Sequence, residues 1–147
     1  MNYLTIAEAQ TYFDTRLNTE AWDEANATDR NKALAMSTRI INQFNYLGSK
    51  TVDSQTNQFP RGGETEVQQE ILDACAEIAF NLLDGVEPDL ELENVGVVHQ
   101  GVSSAKTTYD RSFVAEHLAN GVPSATAWQM MKPFMVDVNS VSISRVN

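Results

Sequence analysis

Few side chains in this chain are placed to do covalent chemistry. Its histidines are His99 and His117 and its one cysteine is Cys75. Neither histidine stands at metal-ligand spacing from a second His or Cys, so no metal site is expected. A lone cysteine excludes an internal disulfide. Cys75 falls on the apolar stripe of a helix, where burial makes a thiol inert. Carboxylates are abundant, but Glu66, Glu70, Asp73 and Glu77 recur at helical spacing on a polar face and read as a solvated surface. Asp53, Asp84, Glu87, Asp89, Glu91 and Glu93 lack the Asp-x-Asp-x-Asp-Gly pattern of a calcium loop. Gly62-Gly63 is not followed by Lys-Ser or Lys-Thr and does not join a strand to a helix, so it is a poor phosphate loop. Ser103 and Ser104 lack a nucleophile elbow. No catalytic residue, cofactor or metal ligand is expected, and the chain reads as a non-enzyme.

Arg61 is the exception. It follows Phe59-Pro60 on a polar, Gly-containing loop over residues 45–65, far longer than the few residues that usually join packed helices. An arginine there can hold the loop by pairing with a carboxylate, or anchor a neighbouring subunit. A loop pinned to its own body by Phe59 and Pro60 is an equal alternative. Phe59, Pro60 and Arg61 are therefore candidate interface residues.

The elements that must position this loop are helical. Thr5-Ile6-Ala7-Glu8 is a capping box and starts a helix over 6–13, with Ile6, Ala9 and Phe13 on one face. A short turn around Trp22 follows, with Trp22 as a core anchor. Thr28 is expected to cap a helix over 28–44 whose inner stripe is Ala33, Ser37, Ile40, Ile41 and Phe44. The strongest pattern is 66–83, where Val67, Ile71, Ala74, Cys75, Ile78, Ala79 and Leu82 form a continuous stripe. Gly85 ends that helix, and Pro88 is expected to prevent its resumption, leaving 86–94 as an acidic connector. The β-branched residues and glycines of 95–102 suit an extended strand or arm. Short helices are expected over 113–118 and over 123–131, the latter capped by Ser124 and broken at Lys132-Pro133. From 135 to 147, Val136, Val138, Val141 and Ile143 alternate with polar residues. That is strand periodicity without a visible partner, as in an interaction tail. The expected fold is mainly α: a small helical bundle over 1–134 with an extended β-like arm at about 95–109, then an extended tail over 135–147. Val97, Val98, Val136, Val138, Val141, Ile143 and Arg145 join the candidate interface.

Charge narrows the partners. The chain of 147 residues carries a net charge of −10. Residues 1–94 hold 17 Asp and Glu against 6 Lys and Arg, whereas residues 95–147 hold 3 against 4. An acidic helical body repels phosphate and offers no basic stripe for counterion release, so tight nucleic-acid binding is not expected. No apolar run is long enough to span a bilayer. The N-terminal Met1-Asn2-Tyr3-Leu4 lacks a basic region followed by an apolar one, so synthesis in the cytoplasm is the expectation.

One family shares this order of features: Tyr3-Leu4-Thr5-Ile6-Ala7-Glu8-Ala9, Tyr12-Phe13, Trp22, a capped helix with Ala33-Leu34, Gly48, Gln58-Phe59-Pro60-Arg61, and the alanine-rich helix to Leu83. It resembles the head-tail adaptor, or connector, proteins of tailed phages. The likeness covers residues 3–85, and 123–134 looks like the end of the same domain. The Phe59 position is commonly Trp in that family. Related sequences carry the label of DnaT-like single-strand DNA-binding proteins. The resemblance implies a helical protomer in a homo-oligomeric ring, a dodecamer in most of that family, in the virion neck. One face would dock on the portal protein and the other on the next neck or tail-completion protein. The contact with packaged DNA would be passive, and no membrane is involved. It further implies that 136–146 reaches the portal and that 95–109 contacts a neighbour or a tail protein. The alternative function is a single-stranded nucleic-acid-binding replication accessory protein.

Overall fold

The computed structural model describes residues 1–94, 97–100, 107–109 and 114–137. Seven helices dominate them: α1 (Ile6–Phe13), α2 (Glu20–Glu24), α3 (Ala27–Asn42), α4 (Gln69–Leu83), α5 (Pro88–Asn94), α6 (Glu116–Ala119) and α7 (Ala125–Met131). A 3-10 turn, Lys132–Phe134, follows α7 directly. The fold is mainly helical, as its periodicities require.

α4 is the hub, packing against α1, α2, α3 and α7. Its stripe is the most apolar in the chain, and Ile71, Ala74, Cys75, Ala76, Ile78 and Ala79 are fully buried. Small residues let α3 come close: the Ser37 hydroxyl donates to the Cys75 carbonyl at 2.7 Å. Ala33, Leu34 and Ile41 face the same core. On the other side Trp22 is fully buried. It stacks on Phe13 at 4.6 Å between ring centroids and donates from Nε1 to Gln10.

Local signals place several ends. The Thr5–Glu8 capping box is formed as expected, and Ser124 caps α7 through the Ala127 N–H. Gly85 closes α4 at φ +85°, a backbone conformation that favours glycine.

Three expectations need correction. Asn26, not Thr28, caps α3, accepting from the Asp29 N–H at 2.9 Å, so the helix starts one residue before Thr28. Of its expected inner stripe Ala33, Ser37 and Ile41 are buried, joined by Leu34 and Thr38, while Ile40 and Phe44 are only half-buried. Pro88 does not prevent a helix but opens one, α5, because the first helical position needs no amide donor and suits the fixed φ of proline. α4 begins at Gln69 rather than Glu66.

The expected arm is not supported as such. The described part of 95–109 is a local antiparallel pair, β1 (Val97–Gln100) with β2 (Thr107–Tyr109), in which Val97 faces Tyr109 and Gln100 faces Thr107. Of the expected tail, only Met135, Val136 and Asp137 are described.

Candidate functional site

The 45–65 loop is built inward from polar groups at the ends of other elements. At its root, the Tyr3 hydroxyl donates to Asn42 Oδ1 at 2.6 Å and accepts from the Phe59 N–H at 3.2 Å. Asn42 lies at the end of α3; its Oδ1 also accepts from the Gln58 N–H and its Nδ2 donates to Asn57 Oδ1. Asn57 in turn donates to the Met1 carbonyl. One carboxamide thus ties the loop to both the N-terminus and α3. Within the loop, Gln55 Nε2 donates to the carbonyls of Asn57 and Pro60. Thr51 N–H bonds the Pro60 carbonyl and Gly62 N–H bonds the Ser49 carbonyl, around the bridge between Lys50 and Arg61.

Phe59 is the apolar plug, 3% exposed. Its ring meets the edges or faces of Tyr46 at 4.7 Å, Phe134 at 5.8 Å and Tyr3 at 6.5 Å. The N-terminus, the end of α3, the loop and the turn after α7 therefore share one aromatic cluster. Backbone pairing reinforces it: Leu47 N–H donates to the Phe134 carbonyl and Val136 N–H to the Asn45 carbonyl. The Phe59–Pro60 peptide bond is cis.

Arg61 behaves differently from the expected carboxylate partner. Its guanidinium donates to the carbonyls of Leu47, Gln58, Tyr46 and Gly48 and to the side-chain oxygen of Gln58. All three nitrogens are engaged by the loop's own acceptors. The pinned loop is the arrangement observed, and Phe59, Pro60 and Arg61 stand together within it.

The remaining candidates are dispersed. Val136 is 43% exposed. Val97 and Val98 lie in β1. Val138, Val141, Ile143 and Arg145 lie outside the described residues.

A second polar cluster was not foreseen. Glu77, expected on a solvated face, is 5% exposed. Arg16 holds it with two bonds, Nε to Oε1 at 2.7 Å and Nη2 to Oε2 at 3.2 Å, and the Tyr12 hydroxyl donates to Oε1 at 2.7 Å. Arg16 also lies over the Phe80 ring at 4.1 Å. The sequence carried no local signal for it: Tyr12 lies in the last turn of α1 and Arg16 in the bend after it, and neither says which carboxylate they meet. The same limit hid Tyr3, Tyr46 and Asn42, which act only through tertiary contact.

Burial sets the protonation states. It pushes the Tyr3 hydroxyl up to about 12 and the Cys75 thiol up to about 11. It raises Tyr46 as well, and Tyr12, where the Glu77 carboxylate adds to the effect. A thiol so placed is neutral at physiological pH and a poor nucleophile. Partial burial lowers His117. Among the described residues no three or more His, Cys, Asp or Glu gather as a metal site, and no helix is long and apolar enough to cross a membrane.

A model of the family described as "Putative DnaT-like ssDNA binding protein" matches residues 2–145. The chain belongs to that family. No curated protein and no solved structure matches it.

Proposed function

We propose that this member of the DnaT-like family is a non-catalytic assembly module that works through protein contacts. In its finer form it is a neck adaptor of a tailed-phage virion: copies form a ring that joins the portal to the next neck or tail-completion component and continues the DNA channel.

The observation that carries this reading is the state of the cations on the acidic body. Arg16 is held by Glu77 and Lys32 pairs with Asp29. Arg30 donates to the carbonyls of Trp22 and Asp23, Lys50 donates to the Gln55 carbonyl, and Arg61 is bound within its loop; among the described residues of 1–94, Arg39, exposed on α3, is the exception. A protein that grips a phosphate backbone needs several cations aligned and available, and this body offers acid instead. An acidic wall also lets DNA pass without sticking.

The second reading is single-stranded DNA binding as a replication accessory function. The family description supports it, and on that ground it is better backed than the adaptor, which no comparison names. Its cations would come from Lys106, Arg111 and Arg145 in the less acidic C-terminal part of the sequence.

Mass photometry of the chain alone and with the portal of the same phage, beside anisotropy of a fluorescent single-stranded oligonucleotide at low salt, separates the two. A ring-sized complex with portal and no oligonucleotide binding is the expected result. Oligonucleotide binding with a steep salt slope and no portal complex would replace the adaptor with the second reading.

A further inference from the structure

The outward side of α3 differs in sign from the body around it. A shallow cleft of about 460 Å³ there is lined by Asn2, Asn31, Lys32, Ala35, Met36 and Arg39. Two bases and no acid line it, on a body whose residues 1–94 hold 17 Asp and Glu against 6 Lys and Arg. Met36 is 44% exposed. Lys32 lies one turn before it and Arg39 one turn after, so all three share a face. Lys32 meets Asp29 at 3.4 Å, with both side chains largely in water. Arg39 is exposed, and the ion pairs among the described residues do not include it. The cleft thus sets an apolar centre beside two cations, one of them outside any ion pair.

The counterpart is α5. That helix has no buried residue, and Leu90 is 50% exposed. Glu87 lies three residues before Leu90 and Glu93 three after, and both are exposed, as are Asp89 and Glu91. These four carboxylates are absent from the ion pairs among the described residues. Here an apolar side chain stands between acids.

We infer that the α3 cleft of one copy receives α5 of a second copy, with Leu90 against Met36 and the acids beside Leu90 against Lys32 and Arg39. The spacing fits: Lys32 and Arg39 are roughly 10 Å apart along α3, and Glu87 and Glu93 roughly 9 Å apart along the axis of α5. Charge chooses the occupant. The cleft is an exception on an acidic surface, and α5 brings acid to it on both sides of an apolar anchor. Both surfaces are exposed within one copy, so α5 does not cover its own cleft. A nucleic-acid strand would meet the same two cations but set its further phosphates against the surrounding carboxylates. Because cleft and helix are different surfaces, the contact is head-to-tail, and repeating it builds a ring or an open chain. One apolar pair with flanking charges is a small, weak interface, which closure of a ring would reinforce. The inference rests on the adaptor reading for its assembly of copies, and portal binding is a separate property.

The test is charge reversal at two exposed positions, read by analytical ultracentrifugation of full-length chains at low salt. The wild-type chain is expected to self-associate with concentration, and to do so less strongly in about 500 mM salt, where the charges are screened. Arg39→Glu and Glu93→Arg should each lower the association constant roughly tenfold or more. Carried together in one chain, or mixed as two chains, they should bring association back, because each reversed charge then meets its opposite. That recovery also shows that both variants are folded. A wild-type chain that stays monomeric, single variants that associate like wild type, or a combination that recovers nothing would each overturn the contact. So would a single-stranded oligonucleotide that dissolves the wild-type assembly and binds the Arg39→Glu chain less well, which would give the cleft to nucleic acid. Association untouched by either reversal would sink this contact and leave the ring reading standing. Reversal-sensitive association without a portal complex would uphold the contact and sink the adaptor.

Discussion

Arg16 and Arg61 fasten two junctions of the molecule by different means. Arg16 joins the end of α1 to α4 by gripping a carboxylate that is almost out of water. Arg61 closes the 45–65 loop by gripping neutral carbonyls, with no carboxylate among its bonds. The first junction is a charge pair whose loss strands a buried charge. The second is a set of ordinary hydrogen bonds at a half-exposed position, where water can take over much of the work. Both junctions share one feature, a tyrosine hydroxyl drawn out of water: Tyr12, half-buried, at the first, and Tyr3, buried, at the second.

That shared feature, together with the buried Cys75 thiol between α3 and α4, predicts the largest effect. The unfolded chain would release the Cys75 proton near 9.0 and the Tyr3 proton near 10.0. The folded chain holds them up to about 11 and about 12. Folded values raised above unfolded ones mean that the stabilisation is whole below pH 9 and is lost as pH rises towards 12. Tyr12 and Tyr46 shift the same way. Denaturant midpoints followed by circular dichroism should fall steeply over that window, ending in alkaline unfolding. A flat midpoint would mean that the hydroxyls ionise in place.

The comparison of the arginines is broken most directly by Arg16→Ala. Glu77 would keep Tyr12 as its only side-chain donor among the described bonds, and Phe80 would lose its cation. Removing one partner of a buried pair costs about 3–5 kcal/mol; with Arg16 a quarter exposed, a loss of about 3 kcal/mol in urea unfolding is expected. The double variant Arg16→Met, Glu77→Leu should recover most of it, because both charges are gone. If it does not, the junction depends on the shape of the guanidinium rather than on charge.

At the second junction, Arg61→Lys keeps the charge and loses the planar fork that reaches several carbonyls at once. A global loss of about 1 kcal/mol is expected, with faster amide exchange confined to 45–65. An effect as large as that of Arg16→Ala would erase the distinction between the two junctions.

How much of this was legible beforehand follows the range of each interaction. The Thr5–Glu8 box, the α4 stripe, the Gly85 stop and the burial of Trp22 and Cys75 are written within a few residues of one another, and the structure places them as read. Glu77 is not local in that sense. On its helix it repeats with Glu70 and Asp73, and Tyr12 and Arg16, 65 and 61 residues away, take it out of solvent. Arg61 was legible as unusual, but its acceptors are backbone carbonyls, which every residue carries and no sequence marks. Pro88 suggests a stop because proline forbids a helix interior; the same residue is favourable at a helix start, and composition alone does not say which applies.

The start of α3 turns this last point into the smallest prediction. Asn26 and Thr28 are both good capping types, two residues apart, each followed by acidic or polar residues. The structure selects Asn26: its Oδ1 takes the Asp29 N–H and its Nδ2 donates to the Asp29 carboxylate, both at 2.9 Å. Thr28 lies one residue inside the helix, where its hydroxyl has no orphan amide to serve. Asn26→Ala should therefore cost about 1 kcal/mol, and Thr28→Ala should stay within about 0.5 kcal/mol of wild type. The pair is measured in one urea series. Equal losses would mean that the helix start slides between two caps; a reversed order would return α3 to the start at Thr28.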